Sequence, residues 1–528
     1  MSFPGLRALH AHIGSAIDEL EDLYRERSQP DFPLEPPLLD IPYYVAEPHS
    51  ACQELAEKLT ADPAVARASR QIVAACGQLS ATVHRPWYGL LETIEAGHLA
   101  ACLRFLASSH IVEILREAGP QGLHSRDICR AVAELRPDGA RPDPRILTPE
   151  RTSHILRALA TSHWLREVMP DVFANNRRSS FLDSGKTLEQ LRTEPEKKHV
   201  DSNGAAAIVG TIGDEMFKSI AYLTEWLLPD TRVGAMPTVD AQGPVHPVRT
   251  EDEGAAAQGL LSTIAPSAEE KHQAPFNLAF GTDQHLFEWL ELPENSARLA
   301  RFGHAMLSTR EMETTDEILR GYSWADLPPG SVLVDVGGGI GSSSMDVVQA
   351  YPHISVVVED RPQVVETAVL FWGPQYAPLF ESGRLSWRVR DMFAPWTPLP
   401  DARVPYVFFL RLVLHDWPDA EAQLILSHLR SGVGPNTKLV IGETLLTYAS
   451  KTEDGASLAQ DGSPLLPNLG AGNMHGYLVD ISMMGLVSGK ERTEREMSEL
   501  ALAAGWKIVE VRRSPGSLWA YATAVPVG

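Results

Sequence analysis

Apolar positions in the first part of the chain recur at helical spacing. Leu9, Ile13, Ile17, Leu20 and Leu23 share one face and predict a helix over 6–28. The proline-rich stretch 30–48 reads as extended linker, and helical periodicity returns over 51–75 and 99–118. The second of these stops near Gly119-Pro120. Ser125-Arg126-Asp127 can cap a short helix over 128–135, the charged and proline-containing 138–149 reads as a surface insertion, and 152–162 reads as a further helix. Short runs at 164–168 and 172–174, joined across Pro170-Asp171, read as a hairpin. Three short helices and a hairpin describe a winged helix.

Helical patterns at 205–228, 276–290 and 294–320 flank a Gly/Pro/Ala/Glu-rich segment, 232–273, that is expected to be loop. After Pro328-Pro329-Gly330 the texture changes. Short apolar runs at 331–336, 354–359, 385–390, 406–410 and 438–443 alternate with helical stretches and predict a parallel, doubly wound α/β sheet with helices on both faces. A Gly/Ser/Asp-rich loop, 449–472, interrupts the alternation. The expected organisation is a helical extension (1–98), a winged-helix-like domain (99–185), a helical linker (186–327) and an α/β domain (328–528).

Charge narrows the partners. With 46 basic against 68 acidic residues the net charge is -22, which argues against nucleic acid or an anionic membrane as a main partner. The usual task of a winged helix is to read DNA through its third helix. Here that helix, 151–160, carries only Arg151 and Arg157, so packing against a second copy is the better reading. Cys52, Cys76, Cys102 and Cys129 form no CxxC pair, which speaks against a disulfide framework or a zinc site. The stretch Met1-Ser2-Phe3-Pro4-Gly5 has no charged region leading into an apolar run, and no uninterrupted apolar stretch of about 18 residues occurs. The expectation is a cytoplasmic enzyme.

The candidate chemistry lies in the α/β half. The run Val332-Leu333-Val334-Asp335-Val336 leads into Gly337-Gly338-Gly339-Ile340-Gly341, and a helix follows. A strand, a glycine turn and a helix make a nucleotide-cofactor cradle, because glycine lets backbone approach the ligand. A dinucleotide fold shares that outline. The spacing Asp335-x-Gly337-x-Gly339-x-Gly341 departs from GxGxxG, and the next strand ends in Glu359-Asp360, where an acid can accept both ribose hydroxyls of an adenosine. Arg390-Asp391-Met392-Phe393 ends the third run; Asp391 could meet an adenine amino group and Met392 the ring face. His415, in Leu414-His415-Asp416-Trp417, closes the fourth, on the side where open α/β sheets bind ligands.

Together, 335–341, Asp391-Met392-Phe393, His415-Asp416-Trp417 and Gly489-Lys490-Glu491-Arg492-Thr493 resemble the caffeic-acid-type O-methyltransferases of plants, a family with fungal members. The resemblance covers the chain from about Pro275 onward and extends more loosely to the winged-helix region, a dimerisation domain in that family. It implies a Rossmann-like methyltransferase sheet, S-adenosylmethionine as cofactor, no metal, and a homodimer. By motif it implies His415 as general base, flanked and oriented by Glu443 and Glu491. Gly337, Gly339, Asp360, Asp391 and Met392 would hold the cofactor. Arg411 stands where the plant enzymes commonly have a lysine near the cofactor. Met306, Asp416 and Met483-Met484, of which Met484 is the candidate contact, fall where the family lines its acceptor pocket. The implied acceptor is a small phenolic or polyketide-like aromatic. A neutral imidazole of ordinary pKa, near ~6.5, could take its proton. The competing expectation keeps fold and cofactor but runs a non-methylating, pericyclase-like reaction; a third, a non-catalytic regulator, would need a basic reading helix.

Overall fold

Seven strands build the sheet of the C-terminal half: β1 (Ser331–Val336), β2 (Ile354–Asp360), β3 (Leu385–Val389), β4 (Val407–Arg411), β5 (Lys438–Glu443), β6 (Trp506–Arg513) and β7 (Ala520–Pro526). Their order across the sheet is β6-β7-β5-β4-β1-β2-β3. The computed structural model describes residues 3–28, 33–43, 50–228, 274–373, 375–452 and 457–527. The expected loop 232–273 lies outside them.

The first five strands pair in parallel. Every residue of β1 is buried, as a strand covered on both faces requires. One face carries Phe408 and Leu410 against Ile425, Leu429 and Trp506; the other carries Val407 and Phe409 against Trp324, Met345 and Val348. Two antiparallel strands join the expected parallel sheet. β6 and β7 form an antiparallel hairpin, and β7 inserts beside β5 antiparallel to it. The turn near Gly516, at φ +71°, lets the chain double back instead of making a helical crossover.

In the N-terminal half, helices Ile111–Ala118, Ser125–Glu134 and Pro149–Thr161 are followed by the antiparallel strands Arg166–Met169 and Val172–Ala174. A short strand, Leu123–His124, adds to the second of these. The cap of Ser125–Glu134 is His124 rather than the serine, its ring accepting from the Arg126 N–H at 3.1 Å. Long helical patterns break where backbone chemistry demands it. The run over 51–75 divides at Asp62-Pro63, with the Asp62 carboxylate capping Pro63–Val83. The run over 276–290 divides at Gly281 (φ +61°) into Pro275–Phe280 and Leu286–Leu290. The run over 294–320 divides into Ser296–Leu307 and Glu317–Gly321.

The helical extension docks onto the α/β half. Helix Phe3–Arg27 buries Leu9 against Ala74 and Ala75 of Pro63–Val83, and Leu465 and Leu469 complete that cluster. Arg70 donates to the carbonyls of Gly472 (2.9 Å) and Ser517 (2.5 Å). The described part of the 449–472 loop is therefore the seat of the extension, and it leads straight into helix Met474–Val487.

Candidate active site

The glycine turn after β1 hangs from the end of β2. Gly337 and Gly338 donate their N–H groups to the Glu359 carbonyl at 2.8 and 3.3 Å. Gly337, Gly339 and Gly341 have φ of 67°, 60° and 83°, a region that side chains disfavour. A Cβ on Gly338 would stand 2.5 Å from the Asp335 carboxylate. Burial pushes that carboxyl up to about 7, opposed by the Ser344 hydroxyl, which donates to it at 2.6 Å. Asp335 is thus a prop beneath the turn.

The acids ending β2 divide their work. Glu359 is buried and paired with Arg388 and, at 3.1 Å, with Arg390. Asp360 faces the turn, accepting from the N–H groups of Gly339 (2.7 Å) and Arg361 (2.8 Å). Burial raises its carboxyl above the usual range, against the pull of those donors. A Cβ on Gly337 would lie 3.0 Å from Val413 and 3.7 Å from the Met392 methyl, so the exits of β1, β3 and β4 converge on one turn. Asp391 is exposed and accepts from the Phe393 N–H at 2.9 Å. A cradle free of side chains, a carboxylate at its rim and a thioether beside it fit the adenosine of S-adenosylmethionine. Arg411 is half-buried and committed elsewhere: it pairs with Glu313 at 2.6 Å, reaches the Ser343 hydroxyl at 3.2 Å and lies over Trp519. It braces the first turn of the helix behind the glycines, Ser342–Ala350.

His415 sits one short turn beyond β4, in Leu414–Asp416, after Leu412 has taken a left-handed φ of 56°. Such strain in a non-glycine residue persists only where neighbours hold it. Its Nδ1 hydrogen-bonds Glu491 Oε1 at 2.7 Å, while Glu443 Oε2 stands 3.9 Å from the same nitrogen. The two glutamates therefore do not flank the ring; both lie on its Nδ1 side. Asp416 Oδ1 is 3.6 Å from Nε2, beyond hydrogen-bond range. Burial would lower the imidazole pKa, yet Glu491, Glu443 and Asp416 together push it up to about 10. The ordinary imidazole pKa expected from the sequence is therefore raised in these surroundings. Burial raises Asp416 to about 6, with His415 pulling the other way.

The 489–493 motif is built around His415 residue by residue. A Cβ on Gly489 would overlap the His415 carbonyl oxygen. The Lys490 N–H donates to that oxygen at 2.9 Å. Arg492, fully buried, donates to the carbonyls of Leu414 (2.8 Å) and Trp417 (2.9 Å) and to Asp419 (2.9 Å). Thr493 caps the helix Glu494–Ala503. Sequence reasoning quoted this motif but gave a role to Glu491 alone; the close approach of Gly489 and the clamp made by Arg492 appear only in three dimensions. It also missed His285, which stacks on Trp417 with centroids 5.0 Å apart, while Phe393 meets the same indole edge-on at 4.6 Å. The break at Gly281 is what brings His285 there.

Of the acceptor candidates, Met483 and Met484 are half-buried on helix Met474–Val487, and Met483 packs toward Phe276 and Leu286. Met306 is 42% exposed, on helix Ser296–Leu307. Among the described residues His415, Glu443 and Glu491 are the group of potential ligand atoms that come together, within 4.8 Å, and the Nδ1 of that group is already engaged by Glu491.

The fold and site define a Rossmann-like methyltransferase domain. The O-methyltransferase domain family matches residues 263–507. An O-methyltransferase of Armillaria gallica is 36% identical over 481 residues, covering 89% of this chain and 91% of that protein. The 4-O-methyltransferase 1 of Phanerochaete chrysosporium is 30% identical, with 96% of each chain covered. Among solved structures, human N-acetylserotonin methyltransferase in complex with S-adenosylmethionine superposes with a TM-score of 0.54 at 18% identity, over 84% of this chain and 99% of that one. A pericyclic reaction enzyme superposes at 0.58 and 18% identity, over 91% and 99%. At such identities the structural likenesses speak for the fold alone. The chain belongs to the S-adenosylmethionine-dependent O-methyltransferase family.

Proposed function

We propose that this enzyme methylates a hydroxyl of a small phenolic or polyketide-like aromatic, with His415 as the general base. The observation that carries the reading is the buried His415–Glu491 contact of 2.7 Å at the strand end beside the glycine turn. Glu491 fixes the ring so that Nε2 is the nitrogen left for the acceptor, and it stabilises the imidazolium that forms. When bound, S-adenosylmethionine supplies an electrophilic methyl and a positive charge at sulfur. Gly337, Gly339, Asp360 and Met392 would hold its nucleoside, and Asp391 the adenine edge. Arg411, tied to Glu313 and Ser343, would support the cradle from behind. His415 takes the acceptor proton once its own has left. With a pKa near that of a phenol, about 10, the transfer between them is close to balanced. Beside a cationic ligand His415 loses its proton more readily, which readies the base as the ternary complex forms.

Loss of the histidine would point to a non-methylating reaction on this fold; the presence of His415, Glu443 and Glu491 favours methyl transfer. Incubation with S-adenosylmethionine and a panel of phenols tests the reading: the expected product is heavier by one CH2. A panel that yields no methylated product, with cofactor bound, would reject it.

A second copy of the chain is the proposed partner of the N-terminal region. The first half of helix Pro86–Ser108 exposes Trp87, Tyr88, Leu90 and Ile94, a row of large apolar side chains suited to burial in a homodimer. Metal-independent action and a cytoplasmic location complete the proposal.

A further inference from the structure

His415, Glu443 and Glu491 are all buried, yet the two acids do different work. Glu491 Oε1 takes the one hydrogen bond that Nδ1 can offer, at 2.7 Å. Glu443 stands off at 3.9 Å and commits its Oε1 to the backbone N–H groups of Val413 (3.1 Å) and Leu414 (2.9 Å). Two oxygens remain. Glu443 Oε2 and Glu491 Oε2 are both buried, and neither has a hydrogen-bond partner. Two ionised carboxylates on the same side of one imidazolium, the three groups within 4.8 Å of one another, leave a buried negative charge uncompensated. A group in that position relieves the cost by binding a proton.

We propose that Glu443 is held as the neutral acid in the resting enzyme at neutral pH, its Oε1 serving as the carbonyl that accepts from Val413 and Leu414 and its Oε2 as a hydroxyl that donates toward Glu491. The kinetic consequence rests on His415 being the base; the protonation itself does not. Glu443 is then a positioning residue. It anchors the strained turn after β4 without adding a second full charge behind the imidazole, so Glu491 alone holds the ring. The surroundings agree. Burial pushes the Glu443 carboxyl well above the ordinary carboxylate range, His415 pulls it back, and Glu491 adds to the rise. The other charged groups near this cluster are accounted for. Asp416 faces Nε2 from the opposite side, and Asp480 accepts the Glu491 N–H at 2.9 Å. His475, on the same helix as Asp480, feels the Glu491 charge. Lys490 and Arg492 are turned to Asp419.

The test compares Glu443→Gln with Glu491→Gln. A glutamine at 443 reproduces the proposed acid: its carbonyl accepts from the two N–H groups and its NH2 donates toward Glu491. The cofactor-free full-length enzyme at neutral pH should show, in the infrared difference between wild type and Glu443→Gln, the carbonyl stretch of a protonated carboxyl. Asp335 contributes equally to both proteins and cancels. In turnover of a phenol, Glu443→Gln should lose clearly less than Glu491→Gln, which falls at least about tenfold, as expected when only one of two acids stabilises the imidazolium. The pH–rate profile of Glu443→Gln should lack the ionisation that Glu443 adds to wild type. An infrared difference without that band overturns the proposal, and so does a folded Glu443→Gln enzyme as slow as Glu491→Gln. The infrared reading uses no acceptor, so it stands or falls independently of the methyl-transfer assignment.

Discussion

His415 concentrates the chemistry in one side chain, and its surroundings set how it works. If it is the base, His415→Ala should lower turnover by about 10²–10⁴, the usual worth of a positioned general base, with little change in cofactor affinity. Calorimetry beside steady-state kinetics reads both. Acceptors more acidic than an ordinary phenol should lose less, since they ionise without help. The raised pKa gives a signed pH dependence. Activity of the free enzyme, read as kcat/KM, should climb as pH rises toward about 10, because only the neutral imidazole accepts a proton. Stability runs the other way. The folded pKa lies above the ordinary 6.5, so the stabilisation from the charged His415–Glu491 pair is fully present below about 6.5 and is lost as pH rises through about 10. A kcat/KM profile that is flat from pH 6 to 10 would remove His415 from the role of base.

At the scale of elements, the site is a set of strand exits held together by backbone contacts. Gly489 shows how tight they are: alanine there must displace the carbonyl that Lys490 binds. Gly489→Ala should destabilise the protein by about 1–3 kcal/mol, as overpacking usually does, and cut activity beyond what the lost stability explains. Thermal denaturation with kinetics on the folded fraction measures both. Asp360 is the matching test of the cofactor cradle. Asp360→Ala should weaken S-adenosylmethionine binding about tenfold or more, through hydroxyls left unpaired in a partly buried site. Unchanged affinity in a folded variant would reject the assignment. Local patterns made the strands and their turn legible: the expected limits of β1 to β5 agree with the observed ones to within a residue or so. They did not show β6 and β7, whose pairing depends on β5, nor the breaks at Gly281 and after Leu307.

For the molecule as a whole, the extension and the 449–472 loop turn out to be partners. Leu9, Ala74, Leu465 and Leu469 bury each other. Arg70 bolts the same junction to residues 472 and 517. The loop runs on into helix Met474–Val487, which carries the acceptor candidates Met483 and Met484, so the extension braces one wall of the proposed pocket from outside. The quaternary expectation moves with this finding. Helices Phe3–Arg27 and Pro63–Val83 pack against their own chain, and the exposed apolar row Trp87, Tyr88, Leu90 and Ile94 is the surface proposed for a second copy. Sedimentation at micromolar concentration should give a dimer, and Trp87→Glu with Ile94→Glu should shift it toward monomer. A wild-type monomer would contradict the dimer reading.

By itself the sequence determined the α/β alternation, the glycine turn with Asp335 and Asp360, and His415 with the motif carrying Glu491, because each depends on residues close in the chain or on a family pattern of fixed order. Only the tertiary structure decided what those groups are to one another. Both glutamates lie behind the same nitrogen, Arg411 turns to Glu313, Arg492 clamps the turn that carries His415, and the acids around the imidazole raise its pKa. These are matters of distance and burial between residues far apart in the chain, and charge coupling in a buried site depends on nothing else.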